Sequence, residues 1–264
     1  MTQNLRIAIL DCDTPVPNVY SDKGLYSDIF ASLLQSAATK SPQLSALKLD
    51  FSKFDSVLVA SAYDEVPWVI ALTDFCKELY FSHPRIKLFG SYFGLGHGLF
   101  SPPKKNVVYP NSKSWGLGVH SITLAPAFLS QFGPVTSNPL HPNQLRLQLV
   151  HGDHVDVSAL PDRFHTIGST PQCALQGIWK KGRLLTCQGH AEFDRFVNAE
   201  TVKVFGKLRW DETIMGEALK AVDADDDSVW AAEVMLRFFL EDEQEEHVAV
   251  QRVLHAEEGV MAKL

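Results

Sequence analysis

The chain has 264 residues, 45% of them hydrophobic and 21% charged, a balance that suits a globular protein with one large core or two modest ones. Its formal net charge of −7 and pI near 5.8, with Lys and Arg scattered rather than gathered into a stripe, argue against nucleic acid as a partner. Cys12, Cys76, Cys173 and Cys187 show no C-x-x-C spacing, so they read as small buried hydrophobes in a reducing compartment rather than metal ligands or disulfides.

Near the N-terminus, "LRIAIL" (Leu5–Leu10) is a continuous apolar run that ends in Asp11, Asp13, Pro15 and Pro17. It predicts a buried parallel strand opening into a loop. The apolar run is too short for the core of a signal peptide or for a membrane span, so a cytoplasmic location with no membrane contact is expected. "YSDIFASLLQSA" has helical spacing, "FDSVLVA" (Phe54–Ala60) predicts a second core strand, and "PWVIALTDFCKELYFS" predicts a helix with Pro67 in its first turn. "RIKLFG" predicts a third strand. Strand, helix, strand, helix, strand is the order of a doubly wound, mostly parallel α/β sheet, whose site lies at the carboxyl ends of its strands.

The stretch "GSYFG" (Gly90–Gly94) follows that third strand directly. A strand running into G-x-x-x-G places the middle residue on a tight turn at the sheet rim, usually as a nucleophile. Here the middle residue is Tyr92. Beyond it the chain becomes β-rich, in short pieces such as "GLGVHSITLAP", "LRLQLVHGDHVDVS" and "RLLTCQGHAEF" separated by Gly, Pro and Asn turns. "VWAAEVMLRFFLE" (Val229–Glu241) then predicts a helix with one apolar face, preceded by the acidic "DADDD". A single domain is expected over residues 1–264, with a core of about residues 5–240. Residues 241–264 are charged and read as a surface helix or tail.

Three of these pieces, in this order, carry a resemblance: the strand with G-x-x-x-G, "HGD" on a β-rich stretch, and "QGHAEF" after the last strand. Together they resemble the class I glutamine amidotransferase-like family. "CDTP", "YSDIF", "SAYDEVPW", "WGLGVH" and "VHGDHV" are similar to its small, single-domain eukaryotic members, especially fungal ones, and the likeness runs from about Ile7 to Leu240. The resemblance implies a flavodoxin-like arrangement of sheet and flanking helices. It also implies that His190 and Glu192 are the family's catalytic dyad. Tyr92 falls where the family has its nucleophilic cysteine.

A phenol is a weak substitute for a thiolate in amide hydrolysis, since its reference pKa is near 10. In the family a glycine-containing loop after the second core strand helps to hold the oxyanion, yet this chain has no glycine between Gly24 and Gly90. Both departures predict that glutaminase activity is lost. Ser91 and Cys12 are alternative nucleophiles, Ser91 because it adjoins Tyr92 and Cys12 because it follows the first strand. Ser91, as the neighbour of Tyr92 on an extended segment, is expected to point to the opposite face.

His190 and Glu192, at i and i+2, share a face if the chain stays extended, and a carboxylate orients an imidazole and makes it a stronger base. Two roles suit Tyr92: a plug that closes the vacated pocket, or a proton donor near His190. His151, Asp153 and His154 in "LVHGDHVD" read as ligand contacts beside that pocket. They do not read as a metal site, because i and i+3 on a strand face opposite ways. Phe93 beside the elbow, His97 in "GLGHG" and Tyr63 in "SAYDEVPW" complete the candidate substrate contacts, with His97 facing either the pocket or the helix packing.

No cofactor is expected, and the partner is a small molecule. The expectation for function is cofactor-free acid–base chemistry by Tyr92, His190 and Glu192: elimination, cyclisation, isomerisation or C–C cleavage of a small carbonyl metabolite, in a fungal specialised pathway. The competing expectations are a catalytically inactive homologue that binds a metabolite or protein, and a hydrolase using Cys12 or Ser91.

Overall fold

A computed structural model describes residues 3–55, 67–91, 108–110, 115–155, 163–207 and 209–241. Strand β1 (Gln3–Asp11) is followed by helices α1 (Pro17–Lys23) and α2 (Tyr26–Lys40), strand β2 (Leu47–Asp55), helix α3 (Pro67–Ser82) and strand β3 (Leu88–Ser91). Then come β4 (Val108–Pro110), β5 (Gly116–Leu124), helix α4 (Pro126–Phe132), β6 (Gln144–His151) and β7 (Asp153–Val155). The chain continues with β8 (His165–Thr166), β9 (Gly168–Ser169), β10 (Ile178–Lys180) and β11 (Leu184–Cys187). It closes on helices α5 (Arg195–Gly206), α6 (Glu212–Val222) and α7 (Ser228–Leu240).

The α/β alternation of the first half is present, but two strands differ from expectation. β1 is buried on one face only: Ile7 and Asp11 are buried while Arg6, Ala8 and Leu10 are exposed. β2 (Leu47–Asp55) is a strand that was not expected; it overlaps the expected strand Phe54–Ala60 only at Phe54 and Asp55, and residues 56–60 lie outside the described residues. Its "LKLDFSKFD" alternates, with Leu47, Leu49 and Phe51 packed on the core and Lys48 and Asp50 exposed, so a search for a continuous apolar run passes over it.

Parallel pairing joins β1 to β2 and β3 to β11. β10 pairs antiparallel with β11 and β8, β5 with β6 and β9, and β4 with β7. The described sheets are therefore mixed rather than mostly parallel. The physical reason lies in the connections, because short links such as Lys181–Arg183 between β10 and β11 allow only an antiparallel return.

The β3–β11–β10 sheet separates two cores, and the side-chain alternation of its strands shows how. Leu88, Leu184 and Ile178 face one way, onto Cys76 and Tyr80 of α3. Their successors Phe89, Leu185 and Trp179 face the other way, into the main core with Ile122, Leu147, Trp230, Leu236 and Phe238. Helices on both faces of a sheet make this a three-layer α/β arrangement. Each fully buried aliphatic side chain adds about 2 kcal/mol to its stability. β3 and β11 run parallel, so their carboxyl ends lie together, with Ser91 in register with Cys187. That common end carries the site.

Candidate functional site

Beyond Cys187 the chain leaves β11 through Gln188 and Gly189, and the His190 amide donates to the Gln148 carbonyl at 2.8 Å. Gly189 allows this approach to β6, since a Cβ there would lie 2.9 Å from the Leu147 Cβ. Pinned in this way, His190 and Glu192 meet. Nδ1 of His190 is 2.7 Å from Oε1 of Glu192, and both side chains are buried, 10% and 3% exposed. A carboxylate opposite Nδ1 calls for that nitrogen to donate, which leaves Nε2 as the ring nitrogen turned away from Glu192.

Two neighbours complete the setting. The Ser91 hydroxyl, at the end of β3, donates to Glu192 at 2.9 and 3.1 Å from its two oxygens. The Phe193 ring stacks on the imidazole at 4.1 Å between centroids, and on its other side Tyr26 stacks on Phe193 at 5.7 Å. Burial pushes the Tyr26 phenol well above its ordinary range, with the charges of Asp13 and Glu192 acting in the same direction. Burial likewise raises the carboxyl of Asp13. The Cys187 thiol is pushed up to about 12 by burial, with a further contribution from the charge of Glu192. Asp11 is buried and accepts from the Ser27 amide at 2.7 Å, a carboxylate at the N-terminus of α2 where the helix dipole favours it.

His151 is buried at the end of β6, against Gly116, where a Cβ would come 3.2 Å from its Nε2. The backbone of Asp153 and His154 belongs to a different strand, β7, which pairs with β4, and their side chains lie outside the described residues. Gly152 separates the two strands under Trp115, whose ring a Cβ would meet at 2.7 Å. The expected continuous strand through "LVHGDHVD" is thus two strands, because the glycine breaks it. Tyr92, Phe93, His97 and Tyr63 lie outside the described residues. Cys12 is half-buried just past β1, and Cys76, Cys173 and Cys187 are buried, all four as free thiols. Among the described residues no group of three or more His, Cys, Asp or Glu side chains is placed to hold a metal ion. Among them, too, no helix is long and apolar enough to cross a membrane.

No family model matches the chain. It is 31% identical to a glutamine amidotransferase-like protein of Schizosaccharomyces pombe, over 89% of this chain and 98% of that protein. A protein of Saccharomyces cerevisiae whose name places it among the glutamine amidotransferases is 30% identical over 76% of each chain. The chain belongs to the glutamine amidotransferase-like family. The fold agrees with solved members: a glutamine amidotransferase of Thermotoga maritima superposes with a TM-score of 0.55 at 16% identity, covering 89% of this chain and 96% of that one. One from Methylobacillus flagellatus gives 0.59 at 14%, covering 91% and 97%.

For a glutamine amidotransferase-like protein the feature that matters most is where the Ser91 proton goes. A serine nucleophile needs its hydroxyl on the imidazole of its base. Here the hydroxyl lies on the carboxylate beyond the imidazole, a geometry of support rather than attack. The sequence places Ser91 on the face opposite Tyr92, which lies outside the described residues, and gives Phe193 and Tyr26 no role. Tyr26 stands in the "YSDIF" stretch that carried the resemblance, and Phe193 ends "HAEF"; those motifs were the available signal.

Proposed function

We propose that this glutamine amidotransferase-like protein has lost glutaminase activity and uses its histidine–glutamate pair for cofactor-free acid–base chemistry on a small carbonyl metabolite. His190 Nε2 is the base that takes a proton from carbon or oxygen, and Glu192 holds the imidazolium that forms. Tyr92 is the acid that polarises or protonates the carbonyl. Elimination, cyclisation, isomerisation and C–C cleavage all fit this exchange, and a fungal specialised pathway is its proposed setting.

The observation that carries the reading is the 2.7 Å contact between buried His190 and Glu192, taken together with the resemblance that puts Tyr92 at the position of the family's cysteine. His151, Asp153, His154, Phe93, His97 and Tyr63 are proposed as substrate contacts. The protein is proposed to act in the cytoplasm, on a small molecule and without nucleic acid or a membrane.

The test has two arms. Purified protein incubated with glutamine should release no ammonia above background. Incubation with a fungal metabolite extract should consume specific carbonyl compounds, and His190→Asn should stop that consumption. Ammonia release abolished by Tyr92→Phe would overturn the loss of glutaminase, and identical metabolite profiles for wild type and His190→Asn would overturn the chemistry.

A further inference from the structure

We infer that Ser91 is a positioning residue that fixes the tautomer and orientation of His190 through Glu192; its catalytic value rests on the acid–base reading above. A glutamate side chain has three rotatable bonds, and a single contact to an imidazole that can itself rotate leaves the pair free to swing together. Ser91 removes that freedom from outside the pair. Its hydroxyl reaches both carboxylate oxygens, at 2.9 and 3.1 Å, while His190 takes one of them at 2.7 Å.

Strand geometry makes the serine a rigid post. β3 is bonded along its length to β11, with Leu88–Ser91 in register with Leu184–Cys187. The main core holds Phe89 and Leu185, and the α3 core holds Leu88 and Leu184, so the strand is gripped on both faces. A donor mounted there moves little, and side chains on scaffold strands hold a site more closely than loop side chains do. Phe193, parallel to the imidazole within 17°, fixes the ring plane. Rotation within that plane is opposed by the carboxylate, and the carboxylate is held by Ser91. Cys187, opposite Ser91, cannot substitute for it, because its thiol is a weak donor.

The test reads the imidazole directly and needs no substrate. In full-length protein carrying 15N-labelled histidine, the His190 signals are identified by their loss in His190→Asn. Wild type should show Nδ1 protonated, with a slowly exchanging Nδ1 proton. In Ser91→Ala that proton should exchange about tenfold faster, the change that one lost hydrogen bond to a charged group produces, and a mixture of tautomers should appear. Ser91→Thr keeps the hydroxyl and should restore the slow proton. The two-dimensional amide spectrum confirms that each variant is folded, and if Ser91→Ala is not, Ser91→Cys serves as the hydroxyl-free variant. An Nδ1 proton unchanged in the hydroxyl-free variant, or one that Ser91→Thr fails to restore in a folded protein, overturns the inference. So does a wild-type imidazole protonated only at Nε2. Should the relay hold while His190→Asn leaves metabolite consumption intact, the acid–base function fails and the positioning role of Ser91 stands.

Discussion

Two buried carboxylates in this protein are satisfied in opposite ways. Asp227, at the start of α7, accepts from the Arg146 guanidinium at 2.8 and 3.0 Å, from the Arg146 amide at 2.8 Å and from the Ser137 hydroxyl at 2.8 Å. Glu192 accepts from an imidazole and a hydroxyl. An arginine partner never gives up its proton near neutral pH, so Asp227 is locked into one state and joins β6, α7 and the Ser137 turn as a staple. Histidine changes charge within the physiological range, so Glu192 faces a partner whose proton can move. A buried carboxylate is a structural staple in one place and, on the proposed function, a working partner in the other, and the difference lies in the group it faces.

The sharpest way to break the contrast is at His190. His190→Asn keeps a donor toward Glu192 but removes the titrating ring, so turnover of the native metabolite should fall by roughly 10² to 10⁴, the range for one general acid or base. Its unfolding midpoint in urea should stay near that of wild type. A large loss of stability with turnover intact would make the Glu192 site a second staple.

Asp227→Asn should do the reverse. Removing a fully buried charge from its guanidinium costs about 3 kcal/mol, read as a lower urea midpoint, while the His190 Nδ1 proton stays as in wild type. The pH dependence carries a definite sign. Burial acts to raise the carboxyl of Asp227, but the Arg146 side chain and amide and the Ser137 hydroxyl outweigh it and hold the group below the usual aspartate range. A group depressed on folding contributes stability that is fully present above its unfolded pKa and is lost as the pH falls through the folded one. Wild type should therefore lose stability in acid more steeply than Asp227→Asn does.

The same contrast explains what the sequence could tell. α3 runs over Pro67–Ser82 as its apolar spacing and first-turn proline predict, and α7 covers Ser228–Leu240, one residue from the expected limits at either end. These are local patterns. β2 (Leu47–Asp55) escaped the sequence reading because its alternation is a weaker signal than an apolar run, while most of the expected strand Phe54–Ala60 lies outside the described residues. The His190–Glu192 pair was readable because both members sit two residues apart in one short motif. Ser91, Tyr26 and Phe193 join that pair only through the β3–β11 register and the packing of α2, which no short window contains. Asp227 was hidden for the same reason: it is one of four aspartates in "DADDD", and only the approach of Arg146, 81 positions away, singles it out.

A smaller effect sharpens the description of the Glu192 site. Phe193 forms the wall against which the imidazole lies, and replacing it with leucine keeps an apolar side chain but removes the stacked ring. Phe193→Leu should lower stability by about 1 kcal/mol, the scale of one aromatic contact. It should broaden the His190 ring signals without changing the tautomer, because the carboxylate still holds Nδ1. A change of tautomer in this variant would transfer the orienting role from Glu192 to the ring.

The smallest expected effect is no change at all, and it probes whether the surroundings of Glu192 stay closed. Cys187 is buried beside the pair, and its thiol is pushed up to about 12, first by burial and then by the charge of Glu192. The thiolate is the reactive form, so at pH 8 about one molecule in 10⁴ would carry it even if a reagent could enter. Cys76 is raised in the same way, to about 12, whereas Cys12 is half-buried beyond the end of β1. Iodoacetamide at pH 8 should therefore label Cys12 first and leave Cys187 unmodified over the same period, as read by peptide mass mapping. Labelling of Cys187 at a rate comparable to Cys12 would mean that the β11 end opens to solvent on the timescale of the reaction. Glu192 would then be exchanging its partners with water, and the Nδ1 proton of His190 would owe more to that opening than to the fixed geometry that separates Glu192 from Asp227.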